Sequence, residues 1–512
     1  MATKSYRQAI LLVIVLSPLL LLLWGEKSGA EPIRPAAVAG RFYPESPESL
    51  RAAIQAFMRE AIPRKVKKPI ALVVPHAGYL FSGQIAADGF KQVEGEAYDT
   101  IIILGTNHTT PGLNKVSVYN GQAFRTPLGL AEVDRTLVDA LMASCKDCLP
   151  DEKVHRDEHS IEVQIPFIQV LFPKARIVPI VVGSADPDLA ARFGQTLAGV
   201  LKSRRALIVA SSDLSHYPAA AQAEIVDPKI LNTMILMDVP KLKATIDDQL
   251  KSHVPNLDTC ACGEAPILAA IEAARHLGAQ GAQVISYAHS AESGLADPNR
   301  VVGYGAVVFT AEKGIVPLKV PTRPYPYSDR FSPAEKKALL NFARESLRRF
   351  LTTGTVPLAR GFGENLEQRR GVFVTLKSHG ELRGCIGRTV ADLPLARAVG
   401  AMALNAALAD PRFSPLKLKE LPEIEIEISV LTKPKEVNLN DIKVGRDGVV
   451  LTKGGKSALF LPQVALEQKW DRNRMLDELC LKAGLDRSCW RQGAQLASFQ
   501  AIVFDESSPK SQ

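Results

Sequence analysis

Three short apolar runs, each ending in polar residues, constrain the fold of this chain more than any other feature. Ile70-Ala71-Leu72-Val73-Val74 leads into Pro75-His76-Ala77-Gly78-Tyr79. Ile101-Ile102-Ile103-Leu104-Gly105 leads into Asn107-His108, and Ala206-Leu207-Ile208-Val209-Ala210 into Ser211-Ser212-Asp213-Leu214-Ser215-His216. β-Branched runs without polar alternation are the mark of strands buried on both faces, which predicts a parallel sheet flanked by helices. In such sheets ligands bind just beyond the carboxyl ends of the strands. His76, His108, Asp213 and His216 are therefore expected at one edge of one sheet.

A chain of 512 residues exceeds a single core, and roughly 100–200 residues per domain predicts two to four domains. Hydrophobic residues at 46% and charged residues at 23% are ordinary for a globular protein. The formal charge of +8 is modest for this length and gathers in no Lys/Arg block, so a nucleic-acid partner is not expected. At the N-terminus, Lys4 and Arg7 precede the apolar stretch Ala9 to Trp24, and Ser28-Gly29-Ala30 follows with small residues. This pattern predicts a signal peptide over residues 1–30, cleaved after Ala30; uncleaved, the same segment would be a membrane anchor. Either way the body is expected outside the cytoplasm, periplasmic or extracellular, with membrane contact only through that segment. Among seven cysteines, Cys145 and Cys148 form a C-x-x-C that reads as a small structural disulfide loop without redox work.

Further along, a helix is expected from Ser46 to Glu60, and another near Gln84 to Val93 with Ser82 and Gly83 at its start. Arg176 to Val182, Gln283 to Tyr287 and Val301 to Phe309 read as further strands. Thr259 to Glu264 opens a helix, where the dipole would lower the pKa of the Cys262 thiol. Strand–helix alternation over this length predicts an α/β sandwich. Pro317, Pro321, Pro324 and Pro326 mark an extended linker over residues 313–330. Ser332-Pro333-Ala334-Glu335 then carries a capping-box pattern. In Glu423-Ile424-Glu425-Ile426-Glu427-Ile428 the alternation is strict, as for a strand with one wet face, so a smaller α+β domain follows.

Three residues of the first domain make a metal-ligand set: two neutral imidazoles, His76 and His108, with a thiolate from Cys262. His216 is expected to transfer protons, with Asp213 setting its tautomer. His159 with Glu162, at helical spacing, would orient the cluster. His155 reads as an exposed loop residue, and His253, His276 and His379 as structural.

Several ordered motifs carry a family resemblance. They are Val38-Ala39-Gly40-Arg41-Phe42-Tyr43-Pro44, Pro75-His76-Ala77-Gly78-Tyr79, Gly105-Thr106-Asn107-His108, Glu158-His159-Ser160-Ile161-Glu162, Ser211 to His216 and Cys262-Gly263. Over residues 31–312 they resemble the Memo family, which is similar in fold to class III extradiol dioxygenases of the LigB type. The resemblance implies an iron or copper ion at His76, His108 and Cys262, with His216 and Asp213 nearby. Those dioxygenases use a carboxylate as third ligand where Memo proteins have cysteine, so a redox reaction other than ring cleavage is expected. Gly380-Glu381-Leu382-Arg383-Gly384-Cys385-Ile386-Gly387, Asp410-Pro411-Arg412-Phe413-Ser414-Pro415-Leu416 and Leu461-Pro462-Gln463-Val464-Ala465, over residues 331–508, resemble the AMMECR family. The fusion is similar to the AmmeMemoRadiSam system, which implies a functional link to a radical-SAM protein. Cys385, between two glycines, is a candidate nucleophile. The expectation is a metal-dependent oxidoreductase acting on an unidentified small molecule. The rivals are a non-catalytic peptide- or anion-binding module on the same fold and a metal-assisted hydrolase.

Overall fold

The computed structural model describes residues 32–318 and 327–507. The expected signal peptide and the central part of the linker lie outside them. In the N-terminal half the apolar runs form the middle of a nine-stranded sheet. Pro69–Val74, Ala206–Ser211, Thr100–Gly105 and Arg176–Val182 lie side by side and parallel. Every residue of Thr100–Gly105 is buried, so helices must cover both faces. Tyr79–Lys91 packs against Pro47–Glu60, and Glu264–His276 against Pro187–Leu201.

The sheet is mixed rather than wholly parallel. Gly303–Thr310 runs antiparallel to both its neighbours, Gly281–His289 and Pro69–Val74. Its connection to Gly281–His289 is a loop with a single short turn, Ser290–Ser293. Parallel neighbours are usually joined through an α-helix, which this connection lacks. Val116–Val118 is likewise antiparallel to Arg176–Val182. Part of the expected linker belongs to this sheet, because Gly314–Val316 pairs in parallel with Gly281–His289.

The second helix begins at Tyr79, five positions before the expected Gln84. Ser82 therefore lies inside the first turns, where its hydroxyl donates to the Ala77 carbonyl at 2.8 Å. Gly83 is required by packing, since a Cβ there would stand 2.6 Å from the Phe57 ring.

Two four-stranded antiparallel sheets build the C-terminal half. The first holds Glu381–Arg388, Val372–Ser378, Ile424–Leu431 and Ala501–Asp505. Ile424, Ile426 and Ile428 are buried while Glu425 between them is exposed, the expected alternation. Pro333–Thr353 starts with a complete Ser332/Glu335 capping box, and it packs against Leu395–Leu408. The second sheet, Lys435–Glu436, Gln495–Phe499, Gly448–Lys453 and Lys456–Phe460, has its own small core, in which a Cys480–Cys489 disulfide is buried. Cys145 and Cys148 are also bridged, as their spacing suggested.

The halves are docked through side chains. Asp88, fully buried in Tyr79–Lys91, receives a two-pronged ion pair from Arg360. Arg349 pairs with Glu60, Arg397 with Glu292 at 2.9 Å and Arg369 with Glu224 at 3.0 Å. Leu80, four residues beyond His76, packs into the core of the C-terminal half.

Candidate metal centre

The loops that follow three central strands carry the donor atoms to one place. His76 follows Pro69–Val74, His108 follows Thr100–Gly105, and Asp213 and His216 follow Ala206–Ser211. Cys262 arrives on the turn into Glu264–His276. That turn lies tight on the sheet edge: a Cβ on Gly263 would stand 2.5 Å from the Ser211 carbonyl oxygen. The Gly263 N–H also donates to Ser212 Oγ at 2.9 Å. Three overlapping groups of ligand atoms result, each within 4.8 Å: His76/His108/Cys262, Asp213/His216/Cys262 and His108/Glu158/His159.

Hydrogen bonds fix which ring nitrogen of each histidine is free. Ser211 Oγ donates its one hydrogen to the Ser160 carbonyl at 2.7 Å and accepts from Gln164 Nε2 at 2.8 Å. Its 3.0 Å contact with His76 Nδ1 must then have the ring as donor, leaving the His76 Nε2 lone pair open. Gln164 is itself oriented, because the same Nε2 donates to the Pro75 carbonyl. His108 Nδ1 lies 2.9 Å from a Glu158 carboxylate oxygen, so it too donates and leaves Nε2 open. Burial works to raise the Glu158 carboxyl, yet hydrogen bonds from the His108 ring and from the Ser160 and His108 backbone bring it down to about 2. His216 Nδ1 faces the Leu214 carbonyl at 3.0 Å, so its Nε2 is open as well.

All three imidazoles thus present Nε2, and His76 Nε2 stands 3.2 Å from Cys262 Sγ. Burial, helped by the like charge of His108, holds His76 near 3, which keeps the ring neutral as a metal ligand requires. Two neutral imidazoles and a sulfur suit a transition metal and leave positions free for other ligands.

Some expected roles change hands. Asp213 does not set the tautomer of His216; the Leu214 carbonyl does. Asp213 instead accepts the backbone N–H groups of His76 and Ala77 at 2.8 and 3.2 Å, holding the His76 loop in place. Glu162 does not orient the cluster either. It is buried beneath it, paired with Arg34 and accepting from Tyr43 and from the Ala37 and Val38 backbone. The orienting carboxylate is Glu158, whose pairing with His108 crosses 50 residues of sequence and could not be read from helical spacing. His159 stacks on His108, ring centres 4.5 Å apart, and Phe42 closes over it at 4.7 Å. His155 is no exposed loop residue: it is fully buried in the short helix Glu152–Arg156, beside Ser117. The Cys262 thiol is not lowered, because burial and the Asp213 carboxylate push it well up. A cation held by this sulfur would reverse the shift and favour the thiolate.

Cys385 belongs to none of these donor groups among the described residues. In Glu381–Arg388 its sulfur accepts from Thr375 Oγ1 at 3.3 Å and its N–H donates to Asp410 at 2.8 Å. Arg412 hydrogen-bonds Asp410 and holds that carboxyl well below the usual range. These contacts hold the strand and place the Arg412 guanidinium beside Cys385.

Comparison with known proteins accounts for both halves. A family described as Memo-like protein matches residues 34–308, and AMMECR1 matches residues 340–504. A MEMO1 family protein of Aquifex aeolicus is 36% identical over 279 residues, covering 54% of this chain and 99% of that protein. Another, from Methanocaldococcus jannaschii, is 36% identical over 293 residues, covering 54% of this chain and 98% of its own. A crystal structure of an uncharacterized protein from Pyrococcus horikoshii is 37% identical, covering 34% of this chain and 92% of that one, with a TM-score of 0.31. With the Memo-like match spanning more than half of its length, the chain belongs to the Memo-like family and carries an AMMECR1 domain behind it.

Proposed function

We propose that the Memo-like half is a metal-dependent oxidoreductase domain that holds an iron or copper ion through His76, His108 and Cys262. The observation that carries this reading is the shared tautomer: Ser211, Glu158 and the Leu214 carbonyl each take the Nδ1 hydrogen of one histidine and leave its Nε2 open. Hydrogen bonds of this kind typically orient metal-bound imidazoles and raise their basicity. The ion would supply one-electron redox chemistry. Around it, Asp213 holds the His76 loop and His159 with Phe42 walls one side of the cleft. His216, with Nδ1 engaged, keeps Nε2 as the atom that takes or gives a proton. In this reading the AMMECR1 half supports the site or delivers a small-molecule substrate. A functional link to a radical-SAM protein follows from the AmmeMemoRadiSam resemblance. The two disulfides support a working place outside the cytoplasm.

Metal analysis tests the assignment directly. After anaerobic loading with ferrous or cupric ion and dialysis, the wild-type chain is expected to retain metal and the His76→Ala, His108→Ala double variant to lose it. Equal metal in both overturns the proposal. Oxygen consumption by the loaded protein under a substrate screen then separates redox chemistry from metal-assisted hydrolysis. Tight ligand binding without metal or turnover would make the cleft a binding module.

A further inference from the structure

The strongest feature outside the histidine cluster is a cavity of about 450 Å³ in the AMMECR1 half. Small-molecule sites typically run from about 300 to 1,000 Å³. The cavity opens where the chain leaves one four-stranded sheet for the other, through Leu431, Thr432, Lys433 and Pro434. Its apolar surface comes from both sheets: Leu431 from the first, and Val450, Leu459 and Phe499 from the second.

Three cations line this space, Arg369, Arg370 and Lys433, and no carboxylate does among the described residues. They differ in what already neutralises them. Arg370 is buried, donates to the Leu431 and Ser328 carbonyls and to Asp329 at 2.8 Å, and lies over the Tyr327 ring at 4.4 Å. Arg369 reaches across to Glu224 of the Memo-like half. Lys433 is exposed, and no described residue engages its Nζ. Among the described residues, two of the three positive charges are therefore spent on the protein, and one remains.

A single uncompensated cation above an apolar surface selects a ligand with one negative charge and a hydrocarbon body. We propose that this cavity is a binding site for a small organic monocarboxylate, with its carboxylate at Lys433 and its apolar part against Val450 and Leu459. A polyphosphate does not fit this balance, because both guanidinium groups already have acid partners. The site is separate from the histidine cluster and does not depend on a metal there.

Calorimetric titration of the full chain tests it with three probes: naphthoate, its neutral counterpart naphthylmethanol, and ATP. Naphthoate is expected to bind more tightly than either of the others. Lys433→Gln, at an exposed position, is expected to weaken naphthoate by about five- to tenfold and leave naphthylmethanol unchanged. Val450→Trp, which fills the space, should remove binding of both. The His76→Ala, His108→Ala variant should bind naphthoate as the wild type does. The proposal is overturned if naphthoate fails to bind the wild type, if Lys433→Gln leaves its affinity unchanged, if ATP binds more tightly, or if the double histidine variant loses the ligand.

Discussion

In the Memo-like half, Thr100–Gly105 is buried along its whole length, whereas in the AMMECR1 half the buried isoleucines of Ile424–Leu431 alternate with glutamates at least partly open to solvent. The first arrangement leaves little room for polar side chains inside the central strands, where they appear only at the ends as Thr100 and Ser211, so most collect in the loops beyond. Three histidines, an aspartate and a cysteine meet there. The second arrangement tolerates polar residues throughout its strands, so its charges are spread among local pairs such as Lys377–Glu427 and Arg412–Asp410. Burial on two faces thus concentrates chemistry at an edge, and burial on one face disperses it.

The contrast can be broken most severely at Glu162, the buried carboxylate beneath the histidine cluster. Glu162→Ala strands the Arg34 guanidinium, which is also buried, and should cost about 3–5 kcal/mol. Chemical denaturation measures it, and a loss below about 1 kcal/mol, the scale of an exposed pair, would erase the difference between the halves. Next comes the small core of the second AMMECR1 sheet. Replacing Cys480 and Cys489 together by Ser should cost about 2–4 kcal/mol. That loss should appear in protection of the Gly448–Lys453 and Gln495–Phe499 amides from hydrogen exchange, with the Memo-like sheet unaffected; uniform loss across both halves would count against separate cores.

Glu158→Gln removes the charged acceptor that fixes the His108 tautomer without emptying the pocket. Metal affinity should fall about 10- to 100-fold with the fold retained, and unchanged affinity would refute the orienting role. The most gradual effect, counted per pH unit, is a pH slope. Burial, with Arg34 adding to it, holds His155 near 3 against an ordinary 6.5. Below pH 6.5 the unfolded chain takes up a proton that the folded chain refuses. Stability should therefore decline as pH falls from 6.5 toward 3, by up to about 1.4 kcal/mol per unit from this group. His155→Gln should flatten that slope; an identical slope would place its origin elsewhere.

Much of the centre of the Memo-like fold was readable because β-branched runs admit few alternatives. The runs through Ile101 and Leu207 could hardly be anything but buried strands, and their polar endings located the cleft. Strand direction was not readable, since Gly303–Thr310 looks alike in either sense and its connection is long enough for both. The Glu158–His108 pair is not legible because its members lie 50 residues apart, while the helical spacing of His159 and Glu162 says nothing of Arg34, the partner Glu162 takes. The burial of His155 is hidden in the sequence, because a polar neighbourhood there says nothing of the Arg34 side chain and Tyr119 ring that pack on it. The Cys480–Cys489 bridge had no motif to announce it, being set by the packing of the second sheet's small core.

Asp88 carries one last consequence. Among the described residues, its carboxylate sits in a helix of one half and finds its counter-charge, Arg360, in the other. Prising the halves apart would strand an anion in a dry place, so they should behave as a single mechanical block. A chain nicked within the proline-rich connection should therefore stay assembled, its fragments travelling together until denaturant parts them.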